Sequence, residues 1–564
     1  MNRNATIAAV ILAALALAIL GTTPPAPRGI DSPVSDFSAV RAMADVRVIA
    51  NAPHATGSAE NAVVRAVLIQ RMQSLGMEVS TSGGLVDERG TAKYARWTGH
   101  RDPPRQLVNL IGILPGKDRA LPAIVLMSHH DTVWGSPGAA DDTAGVAASL
   151  EVLRAVRAQG QAQRDLILLI TDGEELGLQG ARQFFANHPL RHKIGAIINM
   201  EARGGGGRTT MFQTSSGNGA AMALFERSVS RPAASSLAAF IYSVLPNDSD
   251  LTPALKGPYT AYNFAFIGRS GLYHSPMATP DRLDQGALQD MGDQVLGLTR
   301  GLLMAKLLPE KTKDVVFFDL FGLVLVIYPA WLGWLMLITA VGGFALVLRQ
   351  HGSGGLAAGA GRMTGFMIAA GGLLYAFNWL SLGLGPSNYY DRLAAIPLLE
   401  ALAGLVMLAV FLFALGSKRM APGVVVGAAL PLLLIALAAQ GLAPTAAYFI
   451  ILPLMLTGLV MAAQGVLSPR AGVALAGVIA AVVAGYMVAL GHQIMQGLGP
   501  TMPMATVLPF GLAVLTLLPL WPELTKRTAN IGSLCLLLAA AGVALWVQLD
   551  PVAASVAAYA DTKH

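Results

Sequence analysis

Residues 121–145 read LPAIVLMSHHDTVWGSPGAADDTAG. The apolar run from Ala123 to Met127 stops abruptly at Ser128-His129-His130-Asp131. A short, continuous apolar run of this kind is the pattern of a strand covered on both faces. A Gly-Ala turn then leads to the acidic pair Asp141 and Asp142, and small residues open a helix. Open α/β sheets build ligand sites from groups delivered at the C-terminal ends of buried strands, and His with a carboxylate is a donor set for zinc. Such a site needs further ligands and a base from elsewhere in the chain.

The flanking segments continue the pattern. Upstream, Val34–Ala50 and Glu60–Leu75 have helical apolar spacing, with Asn51 to Ser58 as a loop between them. Glu78-Val79-Ser80 starts a strand, and Leu107 to Leu114 alternates like one before Pro115-Gly116. Downstream, Thr143–Gln159 and Leu176–Asn187 are expected to be helices, and Asp165–Ile170 and Ile194–Met200 strands. Alternating strands and helices predict an α/β sheet with helices on both faces.

Composition divides the chain. It has 564 residues, of which 54% are hydrophobic and 13% charged, against about 25% charged in ordinary soluble proteins. The deficit lies between about 315 and 549, where apolar runs alternate with short polar loops, whereas 28–314 has an ordinary mixture. Spans are expected at about 322–348, 364–385, 393–416, 421–441, 444–466, 471–491, 502–521 and 530–549, since runs of 18 or more apolar residues suit a bilayer. Ala5 to Leu20, after Arg3, adds another. It is long for a signal-peptide core, and GTTPPAPRG behind it lacks a small-x-small cleavage site, so an uncleaved anchor is expected. The layout is therefore an anchor at 1–24, an exported domain at 25–314, an all-helical polytopic membrane domain at 315–550 and a short tail at 551–564, with about nine spans in total.

Loop charge orients this layout. Arg3, Arg349, Arg362, Lys418, Arg419, Arg470, Lys526 and Arg527 all fall on one side, while the short loops opposite hold Arg392 beside Asp391. The positive-inside rule then makes the N-terminus cytoplasmic and the 25–314 domain extracytoplasmic, periplasmic in a bacterium and lumenal in a eukaryote. The net charge of +6 is explained by these loops rather than by nucleic acid, for which no basic stripe with interleaved aromatics is present. A single cysteine, Cys535, excludes an intramolecular disulfide and a Cys-based zinc site. Glu400 is the main intramembrane acid, a mark of transport, but the spans hold so few other polar residues that anchoring is the expected role.

The ligand candidates follow from strand geometry. Residues i and i+2 of an extended segment share a face, so Asp131 can orient the imidazole of His129 while His130 points away. Asp141 lies in a small-residue turn that aims a carboxylate inward. The strand ending at Thr171 runs into Asp172-Gly173-Glu174-Glu175, where one Glu can ligate metal and the other act as general base on a water. A third strand ends in Glu201, and Gly271 to Ser275 offers His274. Singly these are ordinary: a satisfied polar His, a Glu pair at a helix N-terminus, an Asp turn. At the ends of three successive buried strands they define a metal site, and two His with three carboxylates suit two zinc ions sharing a carboxylate.

The set Ser128-His129-His130-Asp131, Gly138-Ala139-Ala140-Asp141-Asp142, Asp172-Gly173-Glu174-Glu175-Leu176-Gly177, Asn199-Met200-Glu201 and Tyr273-His274-Ser275 resembles the co-catalytic zinc exopeptidases, which include leucyl aminopeptidases and glutamate carboxypeptidase. The similarity covers roughly 40–305. It implies a mixed sheet flanked by helices, with His129 and Glu201 on one zinc, Glu175 and His274 on the other, and Asp141 between them. Glu174 would be the general base and Asp131 the orienter of His129. Apart from the resemblance, Arg203 and Tyr273 are candidate substrate-binding residues, Arg203 either taking a substrate carboxylate or serving as a loop residue beside Gly204 to Gly207. Many relatives have Asp where this chain has Glu201, and Ser-Asp-His where it has Ser249-Asp250-Leu251. The spans, with Val316 to Gly322 leading into them, resemble the membrane-anchored branch of endoplasmic reticulum metallopeptidases and fungal vacuolar membrane proteases. The resemblance implies a membrane-bound exopeptidase acting on peptides, an aminopeptidase being the expected form. The alternatives are a single-zinc glutaminyl cyclase-like acyltransferase and a non-catalytic receptor or transport-associated protein. Oligomeric state stays open.

Overall fold

The computed structural model describes residues 3–382, 389–416 and 420–550. Lys418 and Arg419 of the expected inner loops, the side chain of Asp391 and the tail at 551–564 lie outside the described residues. By its contacts the chain forms two units: Thr23–Ile327 with the described part of Asn388–Ala394, and Met1–Thr22 with Tyr328–Ser387 and Ala395–Val552.

The first unit is built on seven strands, β1 (Glu78–Leu85), β2 (Gln106–Leu114), β3 (Ala123–His129), β4 (Leu166–Thr171), β5 (Ile194–Ala202), β6 (Gly206–Thr214) and β7 (Thr260–Gly268). Their order is β1-β2-β4-β3-β5-β7-β6. The four central strands β4, β3, β5 and β7 are parallel, and antiparallel partners close both edges. The apolar runs dictate this centre, because a parallel strand is covered on both faces. Side chains of β3 alternate between two cores. Ile124 and Leu126 enter the larger one, among the helices Ala39–Ile49, Thr143–Arg157 and Gln285–Met304. Val125 and Met127 enter the smaller one, under Gln179–Asn187 and Leu251–Ala254.

The chain leaves β3 to form β4 on one side, then returns to place β5 on the other. Strand order reverses across β3, and the crevice beyond the C-terminal ends at such a reversal is where α/β sheets bind ligands. The helix Thr143–Arg157 starts there, its first turn capped by the Asp142 carboxylate, which accepts from Gly145 N at 3.1 Å. A Cβ on residue 145 would meet that carboxylate at 2.4 Å, which accounts for the small residues that open the helix.

Helix Gln179–Asn187 begins later than its apolar pattern, because Glu174 to Leu178 form a turn with Gly173, Gly177 and Leu178 at positive φ. The strands Val315–Leu320 (β8) and Val324–Pro329 (β9) form a hairpin, turning at Phe321 and Gly322, both at positive φ. The Asp319 carboxylate accepts from Gly322 N at 2.8 Å in that turn. This corrects the expected start of the first C-terminal span at 322: the helix begins at Leu332. The β-branched and aromatic residues before it favour a strand.

Among the described residues of the second unit, seven helices are long and apolar enough to cross a membrane: Arg3–Thr22, Leu332–His351, Leu356–Leu380, Ile396–Ala414, Pro422–Leu442, Pro469–Thr501 and Lys526–Leu549. Nine were expected. The runs at 444–466 and 502–521 carry only the shorter apolar helices Tyr448–Gln464 and Pro503–Leu517. The second of these starts at Pro503 and stops two residues before Pro519, which has no N–H to continue the helical hydrogen bonding. The N-terminal helix packs along Pro469–Leu498, with Ile7 and Val10 against Ala476 and Ala480. A Cβ on Gly485 would lie 2.8 Å from the Ala14 carbonyl, the close approach that small residues allow between apolar helices. Glu400 has partners from that same helix: its carboxylate lies 3.0 Å from His492 Nδ1 and accepts from Gln496 Nε2 at 3.0 Å.

Candidate metal centre

His129 is the last residue of β3 and is fully buried. Its Nδ1 lies 2.9 Å from the Asp131 carbonyl oxygen and 3.5 Å from Asp131 Oδ1. Acceptors on that side assign the ring proton to Nδ1 and turn Nε2 toward Asp141 Oδ1 at 3.2 Å and Glu201 Oε2 at 3.7 Å. On the opposite side, His274 Nε2 lies 3.2 Å from Asp141 Oδ2 and 3.1 Å from Glu175 Oε1. His274 presents its ring from left-handed backbone, φ 55°, a conformation that costs a non-glycine residue on the order of 1 kcal/mol and gathers at functional sites.

Two triads result, His129 with Asp141 and Glu201, and Asp141 with Glu175 and His274, each with donor atoms within 4.8 Å of one another. Asp141 belongs to both and turns one oxygen to each imidazole. Its neighbour Asp142 turns away from both triads, caps the following helix and accepts from His129 N at 3.3 Å. The peptide bond between the two is cis. His130 points out of the site, with Nε2 3.0 Å from the Val108 carbonyl and Nδ1 3.1 Å from Asn61 Nδ2.

The Asp131 carboxylate does more than strand geometry indicates. Oδ1 accepts from Glu174 N at 3.1 Å, and Oδ2 accepts from Glu175 N at 3.2 Å and from the Thr56 hydroxyl at 3.1 Å. One buried side chain thereby ties the end of β3 to the backbone of both glutamates. Thr56 has no local signal in the sequence, because the loop carrying it reaches Asp131 only in the fold.

The electrostatics show which kind of group these side chains suit. Burial opposes charge on His129, but Asp131, Asp141 and Glu201 outweigh it and hold the imidazole well above its usual range. Burial also raises Asp141, and its contacts with His129 and His274 reverse that, leaving it well below. Burial pushes Glu174 well above the carboxylate range; His129 opposes this, and the like charges of Glu201, Glu175 and Asp250 add to it. Glu175 is raised, first by burial. Asp250, pushed up to about 7 by burial, receives the Thr171 hydroxyl hydrogen bond, and next to it Leu251 is fully buried in the smaller core. Buried carboxylates thus outnumber the imidazoles that could balance them. Divalent cations held by oxygen and imidazole donors are the natural remedy, so the donor set fits zinc.

Arg203 and Tyr273 lie beside this centre. The Tyr273 ring stacks on His274 at 3.7 Å, and the Arg203 guanidinium donates to the Tyr389 hydroxyl and sits 5.8 Å from the centre of that ring. Tyr389 and Tyr390 have no signal in the sequence that joins them to this site, since they lie in the span-rich half of the chain.

Residues 109–299 match the model of Peptidase family M28. That stretch carries both triads and Glu174. Endoplasmic reticulum metallopeptidase 1 of Rattus norvegicus is 30% identical over 302 residues, 51% of this chain and 33% of that protein. Vacuolar membrane protease of Yarrowia lipolytica (strain CLIB 122 / E 150) is 28% identical over 339 residues, 57% of this chain and 34% of that protein. The chain thus matches about one third of the length of these relatives. Among solved structures, aminopeptidase from Aneurinibacillus sp. strain AM-1 superposes with a TM-score of 0.38 at 15% identity, covering 50% of this chain and 97% of that one. With its apolar helices and membrane-protease relatives, the chain is a membrane protein.

Proposed function

We propose that this protein is a membrane-bound, zinc-dependent exopeptidase, specifically an aminopeptidase, that hydrolyses peptide bonds. The observation that carries the reading is the carboxylate of Asp141 set between two imidazoles, with Glu201 and Glu175 completing a triad on either side. His129 and Glu201 would hold one zinc ion, His274 and Glu175 the other, and Asp141 both. Bound zinc would polarise the scissile carbonyl and acidify water. Glu174 takes a proton from the attacking water and passes it to the leaving amine. Asp131 keeps the His129 tautomer and fixes the Glu174 backbone. Arg203 and Tyr273 lie on the substrate side. The charges of Arg3, Arg349, Arg362, Lys526 and Arg527, which share one side of the seven long helices, support an extracytoplasmic catalytic domain with a cytoplasmic N-terminus.

The test uses the full chain with zinc. Glu174→Gln should keep its metal and lose hydrolysis by about 10²–10⁴-fold; full activity in this variant refutes the base assignment. Acetylating the N-terminus of a peptide should abolish cleavage and amidating its C-terminus should not. The reverse pattern refutes the aminopeptidase assignment. Ammonia release from N-terminal Gln peptides by a chain holding one zinc ion would establish the acyltransferase alternative.

A further inference from the structure

The loop that carries His274 is held from one side by a segment far away in sequence. After β7 the chain makes a single helical turn, Ser270–Leu272, and then presents Tyr273 and His274. Beyond His274 the loop is tied down locally: the Ser136 hydroxyl donates to the Ser275 carbonyl at 2.9 Å, and Ala139 N to the Ala278 carbonyl at 3.0 Å. Before and at His274, the packing partner is the short helix Tyr389–Leu393 and Ala394 behind it. In sequence this segment lies between the apolar helices Leu356–Leu380 and Ile396–Ala414, yet its contacts place it in the unit that holds the metal centre.

Four contacts converge there. The Tyr390 ring lies 5.2 Å from the His274 imidazole and 5.9 Å from the Tyr273 ring. Since Tyr273 stacks on His274 at 3.7 Å, the imidazole is packed against two aromatic rings. Gly271 abuts Ala394 so closely that a Cβ on residue 271 would sit 2.7 Å from it. Tyr389 receives the Arg203 guanidinium. Tyr390 is itself buried. The His129 half of the centre is oriented differently, by Asp131 and by its place at the end of β3.

We propose that Tyr390, on the segment between those two apolar helices, is a positioning residue for His274, so that the half of the metal centre made by His274 and Glu175 takes its geometry from a part of the chain outside the peptidase sequence segment. This rests on the two-metal reading of the site. Ligand imidazoles need their ring orientation fixed, and loss of such support costs about 10–100-fold in metal affinity. His274 needs it more than His129, because it projects from a left-handed loop residue rather than from a strand.

The test is a titration of the full chain with zinc against a chromogenic chelator, a readout independent of hydrolysis. In the wild type two ions should bind, and His274→Ala marks which of them belongs to the His274 half. Tyr390→Ala and, independently, Gly271→Val, which pushes against Ala394, should weaken that ion by about 10–100-fold and leave the other within about twofold. Tyr390→Phe, which keeps the ring, should bind like the wild type. Two ions bound with wild-type affinities by both Tyr390→Ala and Gly271→Val overturn the proposal, as does equal weakening of both ions in a folded variant. If Tyr390→Ala fails to fold, Tyr390→Leu, which keeps bulk without aromatic stacking, takes its place with the same two outcomes. A wild type that binds one ion refutes the two-metal reading instead. The positioning role is then decided by whether Tyr390→Ala weakens that ion whenever His274→Ala removes it.

Discussion

Replacing Asp131 by Asn tests how the centre is assembled. The side chain keeps its shape and loses one acceptor. In the native site two backbone donors, Glu174 N and Glu175 N, point at different oxygens of the carboxylate, and the Thr56 hydroxyl joins the second. An amide has only one carbonyl oxygen, so in either orientation its NH2 group faces one of the two backbone N–H groups. Thr56 can rotate to accept, but a backbone donor cannot. One buried N–H is therefore left without a partner, which costs about 1–3 kcal/mol. The strain falls on the turn that carries Glu174 and Glu175. At about 1.4 kcal/mol per decade this corresponds to roughly a 5- to 150-fold loss of kcat/KM. The assay is zinc-loaded hydrolysis of an aminoacyl anilide by the full chain, with metal content measured in parallel. Thr56→Ala is the control: it removes one hydroxyl donor and spares both backbone donors, and should cost no more than about 0.5–1.5 kcal/mol. An Asp131→Asn variant within twofold of wild type in kcat/KM refutes the reasoning.

Two further outcomes concern stability. Arg208 Nε lies 2.7 Å from Asp290 Oδ2, with both side chains almost fully buried, and the same oxygen accepts from Thr209 N at 3.0 Å. Arg208→Ala should destabilise the fold by about 3–5 kcal/mol, because it strands the buried carboxylate; a thermal unfolding midpoint equal to wild type would contradict this. His54 is buried with Nδ1 2.8 Å from the Ala52 carbonyl, and burial pushes its imidazole down to about 4. As pH falls the unfolded chain takes up this proton first, so stability present above pH ~6.5 is lost as pH drops toward ~4, by about 3 kcal/mol in all. His54→Asn should flatten the dependence of the unfolding midpoint on pH across that window; an unchanged slope would rule out His54 as its source.

The residues themselves determined much of this protein. The apolar runs of β3, β4 and β5 and the punctuation after each are local, and a strand needs only its own side chains to declare itself buried. His129, Glu175 and Glu201 were legible for the same reason, since each stands at or just past the end of such a run, whereas Asp141 lies in the turn before a helix and His274 in a loop beyond β7. The membrane half was legible from the scarcity of charge. Its segment count was less so: the runs at 444–466 and 502–521 carry shorter helices than their apolar length suggests, and the β-branched residues before Leu332 pair as a hairpin. What only the tertiary structure decided is which distant groups meet. Thr56 reaches Asp131, His492 reaches Glu400, and Tyr390 reaches His274. The assignment of Asp141 to both triads and of Asp142 to a helix cap turns on backbone geometry within two adjacent residues. Periodicity reports which face of an element is buried, whereas the partner on that face is chosen by chain closure over tens to hundreds of residues, and no local pattern encodes it.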